Sequence, residues 1–291
     1  RGEKDWALHS AITPTPILLN DEVIRIYAGF RDKEGISRIG FVDVKAENPS
    51  EVIGVSEEPV LDTGVPGSFD DNGMILGDVV RHGDRIYMYY VGFQLVKRAK
   101  FLAFTGLAIS EDNGNTFKKH GKVPVLDRTD NALYIRAVHS VIIENGVFRV
   151  WHSISDKWQY IDGKPYPSYN IWYIESEDGI NFSDKAVLCV DTQGTEYRIG
   201  RPRVYKTEKG YQMFYTRDHL ERNYIAGYAE SKDGISWVRK DDLLCLNKSK
   251  DGWDSQMCCY PALLNYKDRT YLFYNGNNYG ETGVGYAILE K

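Results

Sequence analysis

The chain has 291 residues, a formal net charge of −5 and 42% hydrophobic residues. The acidic balance argues against non-specific nucleic-acid binding, and no apolar run approaches the roughly 18 residues of a membrane span. The length allows two domains, but closed all-β folds often reach it as one.

In chain order, the first elements are an apolar run ending in a turn, PILLNDE (16–22), an aromatic block, RIYAG (25–29), and two further runs, IGFVDV (39–44) and EPVLD (58–62). The same order returns as DVVRHGD (78–84), MYYVG (88–92), TGLAIS (105–110) and VPVLD (123–127). It returns again as SVIIENG (140–146), RVWHS (149–153), IWYIES (171–176) and VLCVD (187–191). A fourth unit reads RVYKTEKG (203–210), MFYTR (213–217), AGYAES (226–231) and LLCLN (243–247). The fifth reads ALLNYKD (262–268), LFYNG (272–276) and VGYAIL (284–289). Taking Tyr27, Tyr90, Trp151, Tyr215 and Tyr274 as anchors, the intervals are 63, 61, 64 and 59 residues. A period of that length holds four short strands, A to D. Five such units predict an all-β, five-bladed β-propeller with four antiparallel strands per blade, as a single domain over 1–291. The fifth unit has no D run, so the N-terminus is the expected donor of a closing outer strand.

Three C runs lead into polar turns, SEDNGNTF (110–117), SEDGINF (176–182) and SKDGISW (231–237). These read as structural: Asp and Gly make the turn, and Phe117, Phe182 or Trp237 packs back on the blade. Cys189 and Cys245 sit in apolar runs and read as buried thiols. Cys258 and Cys259 are adjacent and no C-x-x-C spacing exists, so neither zinc nor another cofactor is expected. Such thiols suit a reducing, cytoplasmic setting. The chain starts at Arg1, which leaves a removed signal peptide open.

In a propeller the D-to-A crossings and B–C loops share one face, and the SEDG-type turns lie on the other. The functional face therefore collects residues just before each A strand. These are His9 and Ser10, then Asp70, Asp71 and Asn72, then 131–133 ahead of Tyr134 and Arg136, then Glu196 and Arg198, then Asp254, Ser255 and Gln256. Asp70 to Gly73 also reads as a plain turn. The long B–C loops 93–104 and 154–169 carry Trp158, Tyr160 and Tyr166, as cleft-shaping loops do; solvated surface is the alternative. Arg136, His139, His152, Arg198, Arg201, Arg203, Arg217 and His219 lie along the inner strands of units three and four, and about half should reach the funnel. Arginine forks suit carboxylate or phosphate groups, or they pair with nearby acids and support the site.

At these residues the chain resembles the propellers of glycoside hydrolase families 32, 43 and 130. It is most similar to a glycosidase-like family without an assigned activity, found among bacterial surface-polysaccharide genes. The matching stretches are RIYAGFRDKEGISRIGFVDV, SEEPVLDTGVPGSFDDNG, GLAISEDNGNTF, GYAESKDGISW, GWDSQMCCYP and YNGNNYGETGVGYAILE. Two departures matter. Families 32 and 43 take a carboxylate from each of the first three blades, whereas this chain offers units two, four and five, with His9 where a blade-one acid would be. The family reads Trp-Asp-Ser-Glu-Met where this chain has Gln256, natural or engineered, and an amide moves no catalytic proton.

The reading is a glycan-active enzyme of the glycosidase type. Cleavage needs one acid to protonate the leaving oxygen and one carboxylate to activate water or attack the sugar. Glu196 is assigned as general acid and Asp71 as base or electrostatic stabiliser, with Asp70 and Asp254 in reserve. His9, Asn72, Arg136, His139, Trp158, Arg198, Arg201, Gln256 and Tyr260 are expected to bind a carbohydrate that bears, or is accompanied by, an anionic group. A glycosyltransferase or phosphorylase is the second reading, with the cations holding phosphate or a nucleotide-sugar. A non-catalytic carbohydrate-binding propeller is the third. No metal motif is present, although clustered funnel carboxylates would suit Ca²⁺.

Overall fold

A computed structural model describes residues 3–183, 185–220, 224–244 and 246–289. Unit one is a sheet of β1 (His9–Asn20), β2 (Val23–Arg31), β3 (Ser37–Lys45) and β4 (Val52–Val55), antiparallel and in that order. Unit two has β5 (Met74–His82), β6 (Arg85–Gln94), β7 (Leu102–Ser110) and β8 (Lys118–Lys119). Unit three has β9 (Ile135–Glu144), β10 (Val147–Ile161), β11 (Lys164–Ser176) and β12 (Val187–Val190). Unit four has β13 (Glu196–Thr207), β14 (Gly210–His219), β15 (Ile225–Ser231) and β16 (Trp237–Arg239), and unit five has β17 (Cys259–Tyr266), β18 (Arg269–Asn275) and β19 (Val284–Ile288). Units two and three are joined by a short parallel pairing of β7 with β9. No helix among the described residues is long and apolar enough to cross a membrane. Cys245 lies outside the described residues; Cys258 and Cys259 are buried and Cys189 is half-buried.

Among the described residues the fifth unit packs on the first without a donated strand. Ile24, Ile26, Val44 and Ala46 share one apolar cluster with Tyr266, Tyr271 and Phe273. Tyr271 donates to the Ala46 carbonyl at 3.0 Å, and Asn275 accepts from the Thr13 amide at 2.8 Å. The expected N-terminal donor goes elsewhere. Trp6 lies against Gly40 in unit one and donates to the Glu57 carbonyl at 3.1 Å. Among the described residues, no strand pairs with the outer edge of β19.

Three other expectations need correction. Cross-strand register places Tyr27 opposite Phe41, Tyr89 opposite Leu107, Trp151 opposite Tyr173, Phe214 opposite Tyr228 and Phe273 opposite Tyr286. The equivalents of Tyr27 and Trp151 are therefore Tyr89, Phe214 and Phe273. Tyr90, Tyr215 and Tyr274 sit one residue later, which turns them to the other face. The corrected intervals, 62, 62, 63 and 59, are more even. Next, the outermost strands of units one and two are not the PVLD runs. Pro59 and Pro124 lack the N–H that a ladder needs. Leu61 and Leu126 instead make single bridges to Ile39 and Thr105 and are buried. In unit four β16 precedes the LLCLN run, whose Leu244 and Leu246 pack against Phe214 and Leu263. Finally, the expected loop 154–169 is a long hairpin. The β10–β11 ladder continues to Ile161–Lys164, and Asp162 and Gly163 turn it at φ +50° and +74°, as a two-residue type I′ connection requires.

The Asp-Gly turns are structural, as read. Asp178 accepts from the amides of Ile180 and Asn181 at 2.8 Å each, and such donors hold its carboxyl below the usual range. Each turn also ties one unit to the preceding one. Tyr27 donates to the Gly114 carbonyl, Tyr89 to Gly179 and Trp151 to Gly234, at 2.7–2.8 Å. In unit four Glu196 lies at one end of β13, opposite His219. The turn of Asp233 lies at the other end, beyond the Tyr211–Ser231 pair.

Candidate functional site

The innermost strand of every unit slips register at a matching place, at Thr13, Gly77, His139, Arg201 and Tyr260, and those of units one and four slip elsewhere as well. A bulge re-aims the side chain it carries. Thr13, Arg201 and Tyr260 adopt φ of +57°, +54° and +56°, a left-handed region that is costly for residues with a Cβ. Thr13, His139, Arg201 and Tyr260 line one cavity of about 400 Å³, to which all five units contribute.

Arg201 forms part of its floor. Its Nη1 donates to the Leu76 and Gly77 carbonyls at 2.5 and 2.6 Å and lies 3.3 Å from His139 Nδ1. Its Nη2 reaches Thr15 Oγ1 at 3.2 Å and the Thr13 carbonyl at 3.4 Å. Only Nε lacks a partner among the described residues. Just below, Arg203 pairs with Asp78 at 2.5 Å, and Asp78 accepts the Val141 amide at 2.7 Å. Burial, with Arg201 beside it, holds His139 well below the imidazole range; burial, with Arg136 near, pushes His152 down to about 3.

Both histidines are therefore neutral when folded and protonate near 6.5 when unfolded. Below pH 6.5 the unfolded chain binds more protons, so stability falls with falling pH. For His152 the loss runs from about pH 6.5 down to about 3. Each histidine contributes up to about 1.4 kcal/mol per pH unit. Urea unfolding at pH 7.5 and pH 5 should show this slope, and His152→Asn should remove about half of it.

One cavity wall is built around Arg198. Its guanidinium pairs with Asp218 at 2.6 Å and lies 4.9–5.7 Å from the ring centres of Tyr224, Tyr197 and Tyr169. The Tyr169 and Tyr224 hydroxyls are 3.0 Å apart, and Tyr279 stands edge-on to Tyr224. Across from these lie apolar side chains of units two and three. Arg31 and Lys100 complete the lining, and no Asp or Glu belongs to it among the described residues.

Of the residues read from sequence, Asn72, His139, Tyr166, Arg198, Arg201 and Tyr260 line the cavity. Of the eight inner-strand cations, three do so, fewer than the expected half. Arg203 and Arg217 instead have carboxylate partners, and Arg198 has one as well as lining the cavity. Trp158 stands behind the wall, edge-on to Phe101 at 5.2 Å. His9 is exposed opposite Arg31; Gln256 is exposed, and its amide donates to Asn277 at 2.7 Å. Buried Arg136 donates to the Asp127 carbonyl at 3.1 Å.

The carboxylates are placed differently from their assigned roles. Asp70 is buried and accepts from Tyr90 at 3.2 Å and Lys119 at 2.6 Å; Asp254 is buried and accepts from Tyr274 at 2.9 Å. Phe69 and Trp253, the residues before them, occupy the space a Cβ would need on Gly106 and Gly285. Each aromatic–Asp pair thus clamps an incoming crossing onto its blade, which explains their matched positions. Glu196 is buried between Arg239 at 2.6 Å and Arg217 at 3.2 Å. Burial alone would raise its carboxyl, but the Arg239 bonds outweigh this and hold it below the usual range. A general acid needs the opposite shift. Asp71 is half-buried beside Asn72 and Gly73; its Oδ2 accepts the Gly67 amide at 2.7 Å, and no other bond reaches it among the described residues.

Arg31, Tyr169, Tyr224 and Tyr279 escaped sequence reasoning, and no repeat marks them: Tyr169 lies inside β11, the others at a strand end or in a connection. Lys100 belongs to the expected cleft-shaping loop 93–104.

No protein-family model matches the chain. The protein Rv1502 of Mycobacterium tuberculosis (strain ATCC 25618 / H37Rv), described only as uncharacterized, is 31% identical over 292 residues, covering 100% of this chain and 96% of its own. A thermostable family-43 glycoside hydrolase superposes with a TM-score of 0.72 at 18% identity, covering 98% of this chain and 91% of the other. The chain belongs to the family of Rv1502, and its fold is that of the family-43 glycoside hydrolase. A 1,2-beta-oligomannan phosphorylase of Thermoanaerobacter sp. (strain X514) is 32% identical over 109 residues, 36% of each chain.

Proposed function

We propose that the chain is a glycan-active enzyme on a five-bladed propeller, and that it cleaves its glycosidic bond by phosphorolysis. Five successive units, the last packed on the first, support the ring. The cavity lining carries the rest: Arg31, Lys100, Arg198, Arg201 and neutral His139, with no carboxylate among the described residues. Hydrolysis needs two carboxylates at the scissile bond. Phosphorolysis needs one acid, because the nucleophile is itself an anion. Half-buried Arg31 and exposed Lys100 pair with no carboxylate among the described residues, and phosphate would suit their charge.

In this reading a phosphate oxygen attacks the anomeric carbon as the glycosidic C–O bond breaks. Asp71 neighbours the lining residues Asn72 and Gly73 without itself belonging to the lining, and in this reading it is the acid that gives a proton to the departing oxygen. The proton carried by phosphate then restores it. The products are a glycosyl phosphate and a glycan one unit shorter. The oligomannan phosphorylase likeness makes β-1,2-mannotetraose the first substrate to try. With phosphate present, phosphorus NMR should show mannose 1-phosphate; without it, turnover should stop. Phosphate-independent release of free mannose would make the chain a hydrolase. Binding with neither product would leave a non-catalytic sugar-binding protein.

A further inference from the structure

The cavity is amphipathic in a way that neither phosphate nor an ordinary sugar explains. Its polar half holds Arg198, Arg201 and the tyrosines. The other half is carbon: Ile75, Val91, Phe93, Leu95, Phe101 and Ile135. Phe93 and Phe101 meet edge to face at 5.2 Å, and Trp158 backs Phe101 at the same separation. Leu95 stands at the mouth, 61% exposed. None of these side chains can hydrogen-bond a hydroxyl. A sugar could stack its C–H face on Phe93 or Phe101, but hydroxyls set against Ile75, Val91, Leu95 and Ile135 would lose water without replacement, which is unfavourable. A hydrocarbon group would gain there what the hydroxyls lose.

We propose that this wall is a subsite for an alkyl or acyl group carried by the substrate. The substrate would then be a glycan with an apolar group close to the scissile bond. The sugar half of the statement rests on the glycan-active reading above; the apolar half does not. A cavity of about 400 Å³ is at the small end for ligand sites, with room for one sugar unit and a short chain.

The test uses n-alkyl phosphates from ethyl to octyl, which join an anion for the cationic side to a chain for the wall and contain no sugar. Calorimetry should show affinity rising about fourfold per methylene over the first few carbons. Leu95→Ser, at an exposed position, and Ile75→Thr, which keeps the Cβ branch but exchanges the ethyl arm for a hydroxyl, should each cut the butyl-to-ethyl affinity ratio several-fold. A plateau near four carbons would mark a substituent on the sugar. A rise continuing to octyl would mark a lipid chain leaving over Leu95. Octyl phosphate binding no better than ethyl phosphate, or a slope that both variants leave intact, overturns the subsite. If the slope is present but no mannoside is turned over, the wall stands and the glycan reading falls.

Discussion

Glu196→Gln is expected to lower stability by about 3 kcal/mol, at the lower end of what breaking a buried ion pair costs. Glu196 is 8% exposed and takes bonds from Arg239 through both oxygens, from Arg217, and from the Gln193 amide. The amide would leave Arg217, which is half-buried, with Asp241 at 3.7 Å as its remaining counter-charge. Arg239 would keep Asp241 at 2.7 Å, which holds the loss near the lower bound. The acid limb of stability should flatten as well. A carboxyl held below its ordinary value stabilises above that value and loses its contribution as pH falls through the folded one. A general acid would behave otherwise: glutamine would cost about 10²–10⁴ in rate and little stability. Urea midpoints of the two proteins, set beside their turnover, separate these roles. Equal midpoints with lost turnover would return Glu196 to catalysis.

The repeat was legible because each blade must bury an aromatic B strand against its neighbours. That pattern repeats at a fixed spacing. Register was less legible. Where two aromatics stand side by side, as at Tyr89–Tyr90, Phe214–Tyr215 and Phe273–Tyr274, composition cannot say which is the equivalent of Tyr27; the cross-strand register decides it, and at Tyr89 the bond to the Gly179 carbonyl agrees. The carboxylates misled for a related reason. Asp70 and Asp254 recur because every crossing needs clamping to its blade, so a matched position reports a shared structural need as readily as a shared active site. The hairpin of 154–169 was legible in principle through its Asp162-Gly163 pair, but its Pro and Lys content reads as loop. The cavity's apolar wall had no sequence signature, because Ile75, Phe93, Phe101 and Ile135 read as ordinary strand residues until the fold turns them inward.

Arg201→Ala is expected to cost about 3 kcal/mol or more, and Arg201→Gly about 1 kcal/mol less than that. Arg201 is 4% exposed, and its fork reaches units one, two and three from unit four. Truncation leaves the Leu76 and Gly77 carbonyls without that donor in a buried floor, at about 1–3 kcal/mol each. The glycine variant suffers the same loss but is relieved of a left-handed backbone, worth about 1 kcal/mol or more. Lysine keeps the charge without the planar fork and cannot serve both sides at once, so Arg201→Lys should fall between wild type and alanine. Urea midpoints give the stability order, and phosphate-dependent shifts in midpoint give anion affinity. If Arg201 acted only as a substrate ligand, all three variants would unfold like wild type and lose only the phosphate shift. The geometry favours the other outcome. Four of its five donors already hold the protein together, and Nε alone is left for a ligand.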